Sequence, residues 1–427
     1  MVKADSAFLF RLRQLASQIW ITVSAFSLLS VLTALLAIAL GPLIPDELAF
    51  QLGADAVETV LNIVATSMLT VATFSLGIMA NAISGAADGA TPRASALMLE
   101  DRVSQTALAT FLGAFVFALV GIIALQVGVY GNGGRIILLG MTILVIILIY
   151  TAFIRWVNRL RTFGRIPDTL EQIEKAASEA LERRLQNPFL GCHPLNHVPV
   201  TARLHPVFAA NTGFVQHIDV AKLQALAEEY DLRLYIQRGP GRFASKARPL
   251  AYSDTALADD KAKAIVCCFT IGAMRTFRQD PQFGMIVLSE TASRALSPAV
   301  NDPGTAIDVL RRALRVLSLW DKQAGACLKH DRLWMPPVEA ADMLQDLLRP
   351  IARDGAAIVE VHHVLQSLLC DLSTISPAIW GHAAYIESHE ALERAEAALK
   401  VDTDKEELRE QQARVAQASS APHAACI

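Results

Sequence analysis

Hydrophobic positions along the chain follow two regimes. Up to about residue 155 they run in long uninterrupted blocks, and beyond it they recur at steps of two, three and four among charges. Four blocks match a membrane span: residues 19–40 (IWITVSAFSLLSVLTALLAIAL), 57–80, 105–129 and 135–154. About 20 apolar residues cover the hydrocarbon core, and a helix satisfies its own backbone in lipid. The pattern therefore predicts an α-helical membrane bundle of four transmembrane helices within residues 1–165. A cleaved leader is disfavoured for the first block, because the run is too long and GPLIP follows it where a small-residue cleavage motif would stand.

Charge at the block ends sets the expected orientation. Lys3, Arg11 and Arg13 precede the first block, and Arg155, Arg159, Arg161 and Arg165 crowd the end of the fourth. The loop 41–56 carries Asp46, Glu47 and Asp55 without a single Lys or Arg. Basic residues stay on the cytoplasmic side, so both the N-terminus and the C-terminal domain are expected there, with little chain outside.

The second block is amphipathic in an unusual sense. Thr59, Asn62, Thr66, Thr70 and Thr73 recur every three or four residues, and Gly77, Asn81, Ser84 and Asp88 continue the row. At 3.6 residues per turn these positions form one stripe. Two readings stand: close helix–helix packing through small and hydroxylated side chains, or the lining of a pore around an oligomer axis. Small-residue faces on the first and third blocks predict close packing there, whereas the aliphatic fourth block is expected to face lipid.

After residue 165 the periodicity predicts a mixed α+β, mostly helical cytosolic domain. A connecting helix falls within 166–194, with Asp168 as its N-cap, followed by a small α+β subdomain over 195–264. Within it, 213–254 reads strand, helix, strand, tight turn, strand. A mainly helical subdomain covers 265–400, entered by a buried strand at IVCCFTI (265–271), and a polar flexible tail fills 401–427. In the segment 275–306, Asp280 precedes Pro281 and Asp302 precedes Pro303. Each pair is a helix-start signal, an Asp cap followed by proline in the first turn, giving helices near 281–296 and 303–321. These roles leave polar residues over. Arg275, Thr276, Gln279, Asp280, Arg294, Ser297, Asn301 and Asp302 form either a site for a small anionic ligand or a structural latch of buried Arg–Asp pairs.

Composition narrows the chemistry. The formal net charge of −3 gives no argument for a nucleic-acid partner. None of the six cysteines sits at a zinc-like spacing, and Cys192, His193, His197 and His205 lie in a proline-rich loop, so no metal site is expected. No nucleophile–base pair or phosphate loop is present, so neither catalytic residues nor cofactors are assigned. In RGPGRFASKARPL, Arg242, Lys246 and Arg248 follow a Gly-Pro-Gly turn without matching a phosphate-binding spacing, and the turn reads as solvated. His362 and His363 read as packing or surface residues.

Several short motifs carry a resemblance: Phe74-Ser75, Pro92-Arg93, Arg275-Thr276, Gln279-Asp280, Phe283-Gly284, Arg294 to Pro298, Asn301 to Pro303, and Thr305-Ala306. With them the chain resembles, over roughly residues 10 to 370, the predicted-membrane-protein family called domain of unknown function 2254. The turn RGPGRFASKARPL departs from that family's pattern. The resemblance implies a bacterial inner-membrane location and lends no activity. The favoured functional reading is a homo-oligomeric, channel-like protein whose cytosolic domain gates or senses a small ligand or ion. The alternatives are a membrane-anchored sensor or scaffold without a conduction path, and a membrane-bound enzyme. The expected partners are the bilayer and a second copy of the chain.

Overall fold

The computed structural model describes residues 19–40, 54–99, 101–128, 132–196, 204–321 and 328–420. Lys3, Arg11, Arg13, Asp46, Glu47, His197, Cys327 and Cys426 lie outside them. The chain divides into two compact units, one of residues 9–88 and 95–168 and the other of 89–94 and 169–427, setting aside the first eight residues.

The first unit is helical. It holds α1 (Ile19–Leu40), α2 (Ala54–Gly89), most of α3 (Pro92–Leu99), α4 (Arg102–Gln126) and α5 (Asn132–Leu160). Among the described residues three helices, not four, are long and apolar enough to cross a membrane: Ala56–Gly85, Arg102–Gln126 and Gly133–Leu160. The described apolar length of α1 is Val23–Ala37. Helix α1 as a whole has 22 residues, about 33 Å at 1.5 Å per residue.

Helix α1 packs on α4 and α5, and α4 on α5. The approach of α1 to α4 depends on Gly113, where a Cβ would overlap the ring of Phe26. Buried Ser30 and Thr33 donate their hydroxyls to the carbonyls of Phe26 and Leu29, at 2.9 and 2.7 Å. Helix α5 leaves Ile143, Ile147 and Tyr150 exposed, as an aliphatic lipid face does. Asp101 caps α4 by accepting from the Ser104 amide at 2.9 Å, and Arg159 of α5 bridges Asp101 and Asp168. One of the arginines that set the expected orientation is thus ion-paired.

The other unit begins along α6 (Ile166–Gln186) and then alternates between two small sheets and helices. Its strands are β1 (His193–Pro194), β2 (His205–Phe208), β3 (Gly213–Ile218), β4 (Leu234–Ile236), β5 (Phe243–Ala244), β6 (Pro249–Ser253), β7 (Phe269–Gly272) and β8 (Leu333–Met335). Helix α7 (Val220–Glu229) follows β3, capped by Asp219 as its sequence implies. One sheet runs β1-β8-β4-β6-β2 and the other β5-β3-β7. Strands β4 and β8 are parallel neighbours, with Leu234 opposite Leu333. Because β8 comes from residues 333–335, the α+β part is not confined to 195–264. Its core gathers Leu223, Leu234, Ile236, Leu250, Ile265 and Met335.

Two sequence expectations need correction. The stretch IVCCFTI is not one strand: its first residues end helix α8 (Asp259–Val266), and only Phe269–Gly272 pairs as β7. Asp259 and Asp260 complement the dipole in the first turn, and the Lys and Ala that follow are strong helix formers, so the helix carries Ile265 into the core. The tail is also helical as far as Ser420. After α9 (Gln282–Ala295), α10 (Pro303–Leu317), α11 (Ala340–Asp354), α12 (Val359–Ile375) and α13 (His382–Ala398), the chain forms α14 (Asp402–Ser420). Leu408 and Val415, two helical turns apart, bury a narrow apolar stripe as α14 packs on α12 and α13. So polar a segment reads as unstructured because only two of its apolar side chains are buried, the rest of its docking being polar contacts.

Buried polar groups tie these helices together. Arg349 of α11 reaches buried Glu387 of α13 at 3.0 Å, and Gln366 of α12 exchanges hydrogen bonds with Ser388. His362 of α12 is wholly buried, and burial lowers its pKa from 6.5 to about 4. Its folded-state value lies below the unfolded one, so the neutral ring's stabilisation is present above pH 6.5 and is lost as pH falls towards 4. Chemical denaturation at pH 7.5 and pH 5 is expected to show a loss of order 1–3 kcal/mol on acidification, and His362→Leu is expected to flatten that dependence. Deleting residues 402–427 is expected to expose the faces of α12 and α13 and lower the thermal midpoint by several degrees, measurable by scanning calorimetry.

Candidate functional site

The segment 275–306 resolves into two groups rather than one site. In the loop after β7, Arg275 grips Asp280 with Nε and Nη2, at 2.7 and 3.0 Å, and lies over the Phe283 ring. Asp280 is 2% exposed, and its Oδ1 also accepts the Phe283 amide. Helix α9 begins at Gln282, one residue later than an Asp280 cap would place it. Gln279 behaves as a surrogate strand residue: its side chain accepts from the Ile218 amide at 2.9 Å and donates to the Ile218 carbonyl at 3.4 Å. Thr276 is half-buried beside them.

Arg294, Ser297, Asn301 and Asp302 lie at the other end of α9, a 14-residue helix, and hence about 20 Å away. There they build the turn into α10. Asp302 caps α10 through the Thr305 amide, with Pro303 in the first turn, as expected. Asn301 adopts a left-handed φ of 50°, Ser297 Oγ donates to the Arg294 carbonyl, and the Asp302 amide closes on Ala295. Arg294 is exposed. The two groups cannot frame one ligand. Arg275–Asp280 is the structural pair, and the second group is a helix connection.

A cavity of about 280 Å³ opens beside Asp280. It is walled by the residues that follow the parallel strands β4 and β8 and by the first residues of α9 and α11. Gln237 and Arg238 leave β4 and enter the Gly239-Pro240-Gly241 turn; Pro336 to Glu339 leave β8 and enter α11. The turn read as solvated therefore lines the cavity. Gly241 is required twice over: its φ is +85°, and a Cβ there would strike the Asp280 carboxylate. Arg242 closes the rim by pairing with Asp342 at 2.6 Å.

Arg184 of α6 forms the floor. It is 6% exposed, and its fork donates to the carbonyls of Gln279 at 3.0 Å and Pro188 at 3.2 Å. No carboxylate lies within ion-pairing distance of it among the described residues. Burial lowers its pKa to about 10 against the opposing charge of Asp280. Nearby Cys192, pushed up to about 12 by burial, stays a thiol and brings no counter-charge. Arg184, Gln237 and Arg238 were not singled out from sequence, although a signal for Arg184 existed. Leu170, Ile173, Ala177, Leu181 and Arg184 share one helical face, and that face is buried. Read by spacing, Arg184 belongs with the apolar stripe, not with the solvated charges.

In the membrane unit Thr59, Asn62, Thr66, Thr70 and Thr73 of α2 are all exposed. The opposite face of α2, with Val57, Leu61, Val64 and Ala65, packs against Ala114, Phe117 and Leu138. Thr66 and Thr70 donate their hydroxyls to carbonyls four residues back, at 2.9 Å, and Thr73 does so at 3.0 Å. The Asn62 amide has no side-chain partner among the described residues. No group of three His, Cys, Asp or Glu able to hold a metal occurs among the described residues.

The chain is 26% identical over 344 residues to the uncharacterized protein Mb1321c of Mycobacterium bovis and to the uncharacterized protein Rv1290c of Mycobacterium tuberculosis. Each match covers 73% of this chain and 62% of the relative, so the chain spans less than two thirds of those proteins' length. No solved structure matches. The family described as "Predicted membrane protein (DUF2254)" matches residues 16–371, and with three apolar helices long enough to span a bilayer, the chain belongs to that membrane-protein family.

Proposed function

We propose that this multi-pass membrane protein self-associates through the polar face of α2, that the face lines a shared path for ions or small solutes, and that the larger unit controls it from the cytoplasmic side. One observation carries the reading: Asn62, Thr66, Thr70 and Thr73 are exposed in the protomer while the apolar face of the same helix is packed inward. An amide gains nothing from lipid tails, and a second copy of the chain or a water-filled path gives it partners. The orientation rests on the basic residues after α5 and on the acidic loop 41–56. The inner bacterial membrane is the location that this topology suits.

A scaffold or sensor without a path is favoured by one fact: the hydroxyls of Thr66, Thr70 and Thr73 are satisfied on their own helix and do not require water. Planar-bilayer recordings of the purified protein separate the two readings. Ion flux is expected, and the Thr66→Leu, Thr70→Leu double variant is expected to abolish it while assembling as the wild type does. A silent bilayer across voltage, pH and salt gradients overturns the path. In that case, disulfide cross-linking of Asn62→Cys between copies keeps self-association as the role of the face, and its absence removes that as well.

A further inference from the structure

We propose that the cavity between the ends of β4 and β8 and the starts of α9 and α11 binds a small oxyanion, an organic carboxylate or a phosphate ester of about one net negative charge. Arg184 Nε, Gln237 Nε2 and Arg238 Nε are buried nitrogens with no hydrogen-bond partner among the described residues, and all three residues line the cavity. A buried donor left unpaired is destabilising, and native structures keep few of them. Three on residues of one wall leave donor capacity there that an acceptor from outside the chain would meet.

Charge points the same way. Arg242 is paired with Asp342, and Asp280 with Arg275. What remains on the wall is Arg184 and Arg238, neither of them in an ion pair among the described residues, against Glu339. The balance is one positive charge, at a site where the guanidinium of Arg184 is nearly cut off from water. A buried charge without a counter-ion is costly, and an anion relieves it. The helices α9 and α11, of 14 and 15 residues, both start at this wall; Asp280 already accepts the Phe283 amide at the start of α9, whereas Glu339 makes no side-chain cap on α11. The amide end of α11 adds favourable potential for an anion. Loops that leave adjacent parallel strands are also where open sheets place ligands. The volume exceeds that of a bare phosphate and approaches the lower range of small-molecule pockets, so the anion is organic, with polar groups that can face Glu339.

This assignment is independent of any membrane path and is read without conduction. The full chain, purified in detergent at low salt, is titrated calorimetrically and by thermal shift with dimethyl phosphate, a monoanionic phosphate ester, in one arm and lactate in the other. The expected result is binding in the millimolar range or tighter from one arm, with a thermal rise of a few degrees. Arg238→Gln is expected to weaken it at least tenfold, and Arg184→Lys to do the same while keeping the charge and losing the planar fork. Arg294→Gln, at the far end of α9, is expected to bind as wild type. Binding by the phosphate arm alone identifies an ester as the occupant, and binding by the carboxylate arm alone an acid. Absence of binding in both arms, or equal affinity in wild type and Arg238→Gln, overturns the proposal.

Discussion

The larger unit depends on a single carboxylate. Asp280 is almost fully enclosed, by its own loop on both sides and by the turn after β4. Arg275 reaches it from the strap after β7, the Phe283 amide from the first turn of α9, and the Gly241 backbone from the turn after β4. Burying a carboxylate is costly unless it is paired and hydrogen-bonded, and here both conditions are met by groups that also fix the loop carrying them. The pair therefore sets the register between a sheet edge and a helical bundle. The same geometry leaves the cavity at its side: Asp280 is hydrogen-bonded to Arg275, and only its longer-range charge acts on Arg184.

That division of charge explains which part of the site was legible in the sequence. Asp-Pro at 280–281 and 302–303 announced two helices, and α9 and α10 begin there to within a residue. The surplus of arginines and amides around them was equally visible. Their pairing was not, because a 14-residue helix separates two clusters that are close in sequence terms but about 20 Å apart in space. Conversely, Arg184, Gln237 and Asp280 are far apart in the chain and share one wall. The parallel pairing of β4 with β8, a contact across about a hundred residues, brings the turn after Gln237 beside Pro336 to Glu339, and Arg184 and Asp280 complete the wall. A local pattern cannot report a non-local pairing, so a turn such as Gly239-Pro240-Gly241 reads as solvent-exposed until its neighbour is known.

The fold was legible where burial is regular and obscure where it is thin. The apolar helices of the membrane unit and the amphipathic α10 to α13 follow from spacing alone. Helix α14 is the contrary case, since its docking rests on Leu408 and Val415 and on polar contacts such as Gln411 with His363. Helix α8 shows a different competition. Cys267 and Cys268 extend an apolar run that looks like a strand, yet the acidic first turn at Asp259 and Asp260 commits the chain to a helix before that run begins.

The polar face of α2 poses the sharpest physical question in the membrane unit. Threonine can live beside lipid because its hydroxyl returns to a carbonyl of its own helix, and Thr66, Thr70 and Thr73 all do this. Asparagine is different. Its amide carries two donors and an acceptor, and on the exposed side of α2 Asn62 finds no side-chain partner among the described residues. Were the face meant for lipid, the cheaper sequence would keep the threonines and replace Asn62 by an aliphatic residue. Were it meant only for tight packing, alanine or serine would let the backbones approach as closely without an amide to satisfy. Asn62 is the residue of this face whose amide is left without a side-chain partner among the described residues, and the proposed second copy or water path would supply one.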